Sequence, residues 1–169
     1  MAPENANSRF VTVILQHLQA VLKPQGFRRR GKTFVADGAD VTLLVNLQSS
    51  TSSTKDELLV TVNLAVHSLA LAERVYNEEA IRSKSVWDSH WSRRIGFLTE
   101  HQQDYWWRIG DDEQAERASR HMAYILAEDG LPALREVDST AKLKALWEQG
   151  QSPGLTEAQR VRYLELLKA

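Results

Sequence analysis

Between Val41 and His67 the chain alternates apolar and polar residues in two runs. In the first, Val41, Leu43, Val45 and Leu47 are apolar against polar Thr42, Asn46 and Gln48; in the second, Leu58, Val60, Val62, Leu64 and Val66 are apolar against polar Thr61, Asn63 and His67. A period of two is that of a strand with one side in a core. The Ser/Thr/Lys/Asp segment between the runs predicts a hairpin. Directly paired residues of an antiparallel ladder face the same way, so the two apolar sets coincide only when the numbers of each pair add to an odd value. A value of 109 closes this hairpin and sets Thr42 opposite His67, Asn46 opposite Asn63 and Gln48 opposite Thr61; 107 or 111 would keep the faces and change the partners. Uncharged hydrogen-bonding groups thereby collect on the second face. Such a face is ordinarily the solvated side of a sheet, and the alternative is a polar recess.

The patterns on either side build an α+β fold around this pair. Ser8 is expected to cap a helix that runs to about Leu22 with a stripe of Phe10, Val11, Ile14, Leu15, Leu18, Val21 and Leu22, stopped by Lys23-Pro24-Gln25-Gly26. Phe27 to Arg30 and Thr33 to Ala36 predict a second hairpin turning at Arg30-Gly31, with Phe27 paired to Phe34 on the core side and the arginine triplet alternating across the ribbon. Ser68 to Lys84 reads as a short helix or irregular excursion. Val86 to Ile109 holds four of the five tryptophans; Trp91 to Leu98 has strand alternation, and Tyr105 to Ile109 suits another strand or a bend. A helix is predicted over Asp112 to Asp129, with Asp111 as N-cap, Gln114 completing a capping box and Gly130 past its end. After Leu131-Pro132 a short link is expected, then a helix from about Thr140 to Glu148 capped by Ser139, and Thr156 with Gln159 opens a last one anchored by Leu164 and Leu167. The expected architecture is an antiparallel meander of about four to six strands with the N-terminal helix and the C-terminal helices packed mainly on one face. A chain of 169 residues fits one domain, with residues 1–7 as a tail and 139–169 as its helical extension.

Composition removes several kinds of chemistry. The chain has no cysteine, which excludes disulfides, thiolate zinc sites and thiol nucleophiles. Twenty-one basic against 22 acidic residues leave a net charge of −1 and no global field to gather a polyanion, so nucleic acid is not an expected partner. No apolar run reaches the roughly 20 residues of a membrane span, and MAPENANSRF lacks the features of a secretory leader, so the expected place is the cytoplasm, without membrane association.

Catalytic frames are also missing. There is no GxSxG elbow, no HExxH pair and no GxxxxGK[ST] or GxGxxG phosphate loop, and the five histidines lack helical i, i+4 spacing, so no metal or cofactor is expected. His67, His90 and His101 would meet only through the tertiary fold. What remains is a polar and aromatic recess of Asn46, Gln48, Asn63, His67, Trp91, Arg93, Arg94 and Trp107. Arginine offers a planar fork for carboxylate or phosphate, tryptophan a flat wall, and amides orient a ligand by hydrogen bonds. The same groups would serve as a buried structural network, in which Arg94 would pair with Asp88 or Asp104. A non-catalytic domain binding a protein or ligand ranks above a small enzyme acting on a polar or anionic molecule.

The motif order carries one further signal. Lys23-Pro24-Gln25-Gly26-Phe27, Asn46-Leu47-Gln48-Ser49-Ser50, Val60 to Val66, His90-Trp91 with Arg94-Ile95-Gly96-Phe97-Leu98, Asp104 with Trp106-Trp107, and Gly130-Leu131-Pro132 follow one another in a pattern that resembles a bacterial family known as domain of unknown function 4304, from about Ser8 to Asp138. Ser89 stands where that pattern often has a cysteine, and Ser49 where it often has a lysine. The resemblance implies a fold and an order of motifs; it implies no chemistry. Neutralisation of a toxin by a protein–protein contact is one concrete form of the binding reading, by analogy with other small domains.

Overall fold

The computed structural model describes residues 5–75 and 85–168. Helix α1 spans Ala6–Leu22 and opens three residues earlier than the expected cap, because the Asn5 side chain accepts from the Asn7 amide at 3.0 Å. Phe10, Ile14, Leu15, Leu18 and Leu22 are its buried stripe. A 3-10 turn over Lys23–Gln25 ends at Gly26, whose φ of 88° is left-handed.

Strands β1 (Arg28–Arg30) and β2 (Thr33–Asp37) form the first hairpin around Gly31 and Lys32, one residue later than expected. The partner of Phe34 is therefore Arg29, not Phe27, which precedes the strand; both phenylalanines still enter the core. All three arginines of β1 are exposed, and Arg28 bonds Asp37 at 3.0 Å. Strands β3 (Val41–Ser49) and β4 (Leu58–Ser68) pair in the register that sets Asn46 opposite Asn63. The far edge of β4 is divided between two short strands. β5 (Trp91–Arg94) pairs with Asn63 to Val66, and β6 (Trp107–Ile109) with Leu58 to Val60. The strand expected to run on to Leu98 stops at Arg94, where Ile95–Leu98 winds into a 3-10 turn. Thr61 bridges the interval by donating its hydroxyl to the Tyr105 carbonyl at 2.9 Å. The result is a six-stranded antiparallel sheet in the order β1-β2-β3-β4-β5, with β6 also on β4, in an α+β fold.

Helix α2 follows at Leu69–Val75; the rest of the excursion expected up to Lys84 falls outside the described residues. Helix α3 covers Asp112–Ile125, with the Asp111 carboxylate accepting from the Gln114 amide and the Gln114 side chain accepting from the Gly110 amide, both at 2.7 Å. The helix does not break at Gly130. A π-helical turn over Leu126–Gly130, in which the Leu131 amide donates to the Leu126 carbonyl, leads into α4 (Leu131–Arg135), where Pro132 has no N–H to donate to the preceding turn. Helix α5 (Thr140–Glu148) is capped by Ser139, and α6 (Glu157–Lys168) by reciprocal bonds between Thr156 and Gln159.

The stripes of α1 and α3 join Val41, Val45, Leu47, Val60, Val62, Leu64 and Val66 in the main core. The second sheet face departs from the ordinary expectation: it is covered, not solvated. Leu44 and Ala65 are directly paired on it and pack with Val35 and Val86 as a second apolar cluster. Thr42, Thr61, Asn63 and His67 are buried beside that cluster. At its far end, Tyr163 of α6 packs edge-on against His90, which in turn lies over His67. Among the described residues no helix is long and apolar enough to cross a membrane.

Candidate functional site

The register that buries the apolar faces also assembles a line of amides on the second face. Asn63 donates to Gln48 Oε1 at 2.9 Å and to Asn46 Oδ1 at 3.4 Å, and Asn46 donates to Thr33 Oγ1 at 2.9 Å. Pairing of Asn63 with Arg94 extends this line onto β5. The Arg94 guanidinium donates to the Asp104 carboxylate and lies over the Trp106 ring at 5.0 Å, while the Trp106 indole donates to the same carboxylate oxygen at 3.4 Å. Arg94 thus has the acidic partner expected of a structural network, yet its side chain keeps 31% of its exposure.

Asn63, Ser92, Arg93 and Arg94 line an open recess of about 640 Å³. Trp87 and Phe97 stand over it, and Gln151 to Gly154 close one side. Trp87 is 69% exposed, which leaves its indole face available to a ligand. The Arg93 guanidinium has no hydrogen-bond or ion-pair partner among the described residues. The closing segment is docked on the strand edge: the Ser92 amide donates to the Pro153 carbonyl at 3.2 Å. Gly154 permits that approach, since a Cβ there would run into the Ser92 hydroxyl and lie 2.9 Å from its amide nitrogen, and its φ of 82° disfavours any other residue.

Of the eight residues expected to share a recess, Asn46, Gln48, Asn63 and Arg94 come together on the second face, and Arg93 joins Asn63 and Arg94 in lining the cavity. Trp91 and Trp107 do not join them. They pair with Val66 and Val60, so they face the main core, and the Trp107 indole donates to His121 Nδ1 at 3.1 Å. His67 shares the amide face but lies four residues along β4 from Asn63, about 13 Å at the usual strand rise, and it is 1% exposed. His90 lies 4.7 Å from it, ring to ring, and accepts the Ser68 amide on Nδ1 at 2.9 Å. Burial, and then the neighbouring His67, hold His90 far below the usual imidazole range, at about 3.

The aromatic walls of the recess are Trp87 and Phe97, and Trp106 stacks on its Arg94; sequence reasoning selected none of the three. For Trp106 a signal existed, in its spacing of two from Asp104. For Trp87 and the Gln151–Gly154 segment none did, because both reach the recess only through tertiary packing. Among the described residues no three His, Asp or Glu side chains gather as a metal site would require.

A family model described as Domain of unknown function (DUF4304) matches residues 18–136. The chain belongs to this family. The DUF4304 match takes in the whole sheet, α3, the π turn and α4, and it ends one residue past α4. Asn63, Arg93, Arg94, Trp87 and Phe97 therefore lie within the DUF4304 region, whereas the Gln151–Gly154 wall and helices α5 and α6 lie beyond it. Neither the curated proteins nor the solved structures contain a match to the chain.

Proposed function

We propose that the protein is a non-catalytic binding domain whose recess takes an acidic group flanked by an apolar one, as an acidic segment of a partner protein presents. The observation that carries this reading is the recess lined jointly by Arg93, which has no hydrogen-bond or ion-pair partner among the described residues, and by the exposed Trp87 and Phe97. A guanidinium fork matches a carboxylate, and arginine and tryptophan are the side chains most enriched at binding hot spots. A half-solvated arginine of this kind costs the free domain little, and it gains strong hydrogen bonds when an anion excludes water from it.

The alternative, a small enzyme acting on a polar or anionic molecule, has less support. The one carboxylate among the described residues that line the recess, Asp104, is already held by Arg94 and Trp106. His90, whose basicity is strongly altered, is fully enclosed at the opposite end of the face. Neutralisation of a toxin in the bacterial cytoplasm is the form of protein binding we favour. Nucleic acid is a poor fit, since the arginines of β1 alternate across a ribbon and Arg28 is engaged by Asp37.

Selection of random peptides on the immobilised full chain tests the reading. Enriched sequences are expected to place Asp or Glu next to an aromatic or aliphatic residue, and synthetic versions to bind Arg93→Ala and Trp87→Ala at least about tenfold more weakly in fluorescence anisotropy. Enrichment without acidic residues, or binders indifferent to both substitutions, would refute it.

A further inference from the structure

On the other side of the loop that follows β5 lies a second recess, of about 620 Å³, whose character is opposite. Its helical wall is a stripe continued through the π turn: His121, Tyr124, Ile125 and Asp129 follow at spacings of three, one and four, so they share one side of the coil. Its other wall is the loop, with Tyr105 and the rim residue Glu100. Gly96 allows the loop to fold back this closely, because a Cβ there would lie 2.9 Å from the Tyr105 amide nitrogen. Gln102 is held at a φ of 46° in the same turn, a left-handed geometry that only a defined loop imposes on such a residue.

The lining is aromatic and acidic. Tyr105 is 49% exposed and Tyr124 65% exposed, so neither ring is sealed in the core. His121 Nδ1 accepts the Trp107 indole proton, which can only be donated, and Tyr105 packs edge-to-face on Trp107 at 4.7 Å; both contacts fix that wall in place. Asp129 is half-buried and has no hydrogen-bond or ion-pair partner among the described residues, and no lysine or arginine is among the described residues that line the recess. Ring faces attract a cation within about 6 Å of the centroid, and an unneutralised carboxylate at the end of an aromatic cleft adds a counter-charge. An anion placed there would meet two carboxylates and two electron-rich rings.

We propose that this recess binds an organic cation, the guanidinium or ammonium group of a partner's side chain or of a small molecule, between Tyr105 and Tyr124 with Asp129 as counter-ion. The proposal is independent of the arginine recess, which is separated from it by the loop and reads the opposite charge.

The test titrates the full chain with N-acetyl-arginine amide, N-acetyl-lysine amide and an arginine-centred pentapeptide, using the uncharged N-acetyl-citrulline amide as the isosteric control. Aromatic resonances of Tyr105, His121 and Tyr124 report the binding. The cations are expected to shift all three residues, the citrulline amide to leave them in place, and Asp129→Asn to weaken the cations at least about tenfold while melting with the wild type. Arg93→Ala should bind the cations normally, so failure of the acidic-segment reading leaves this one standing. A pentapeptide at least about tenfold tighter than the amide assigns the site to a side chain of a partner protein; equal affinities assign it to a free organic cation, and either supports the proposal. No shift at these residues, equal shifts from the citrulline amide, or an Asp129→Asn variant that binds as well as the wild type would overturn it.

Discussion

Replacing His90 with asparagine should flatten the pH dependence of folding. In the folded chain His90 is enclosed between His67 and Tyr163, and its Nδ1 accepts the Ser68 amide, an arrangement that requires the neutral ring. Its affinity for a proton falls from an ordinary value of 6.5 to about 3 on folding. Between those two values the unfolded chain binds a proton at this position and the folded chain does not, so stability rises with pH and is lost as pH falls below 6.5. The loss is about 1.4 kcal/mol per pH unit, roughly 2.7 kcal/mol by pH 4.5 and about 5 kcal/mol by pH 3. Asparagine places its Oδ1 near the position of Nδ1 and keeps the bond to Ser68, but it forfeits the ring's packing, at about 2 kcal/mol. In urea melts followed by circular dichroism, His90→Asn is therefore expected to be the weaker protein at pH 7.5 and to match or exceed the wild type by pH 4.5. Carboxylates shared by the two proteins cancel in that difference. Parallel stability curves across this range would refute the assignment of a buried, neutral His90.

Three further outcomes check the fold and the arginine recess. Val62→Asp places a carboxylate at a fully buried position of β4, and should cost several kcal/mol or abolish the thermal transition; wild-type-like melting would overturn the assignment of the two sheet faces. Arg94→Ala should cost under about 1 kcal/mol in chemical denaturation, because its pair with Asp104 is part-exposed, whereas a loss of roughly 3 to 5 kcal/mol would mark a buried structural pair instead. Gly154→Ala should displace the closing segment at a cost of about 1 to 3 kcal/mol, read as faster hydrogen exchange at the Ser92 amide, which donates to Pro153; unchanged protection would contradict the close approach.

The parts of the fold set by local rules were legible in the sequence. Alternation in Val41–Leu47 and Leu58–Val66 yields the observed register, and the caps at Asp111, Ser139 and Thr156 mark helix starts because each uses a side chain within three residues of the amide it satisfies. What resisted was set by partners distant in the chain. The covered second face is the clearest case, although a trace of it was present: the register that aligns the polar groups also pairs Leu44 with Ala65, two apolar residues on a face expected to be wet. Trp91 and Trp107 were grouped with the amides on residue type, yet pairing with Val66 and Val60 turns both toward the helices. Continuation of α3 through Gly130 was hidden because glycine and the following proline ordinarily end a helix, and here a π turn carries the backbone past both.

The divided edge of β4 has a consequence for how the domain can change. Both ends of the segment between Arg94 and Trp107 are anchored to one continuous strand, by β5 above and β6 below. The separation of its ends is thus clamped by the ladder, and residues added or removed between Leu98 and Tyr105 change only the arc that spans them, at a closure cost that grows slowly with length. Phe97 edges one recess and Tyr105 the other. The sheet acts as a frame with a replaceable visor: altering its length would recast both charged recesses at once while every strand keeps its partner.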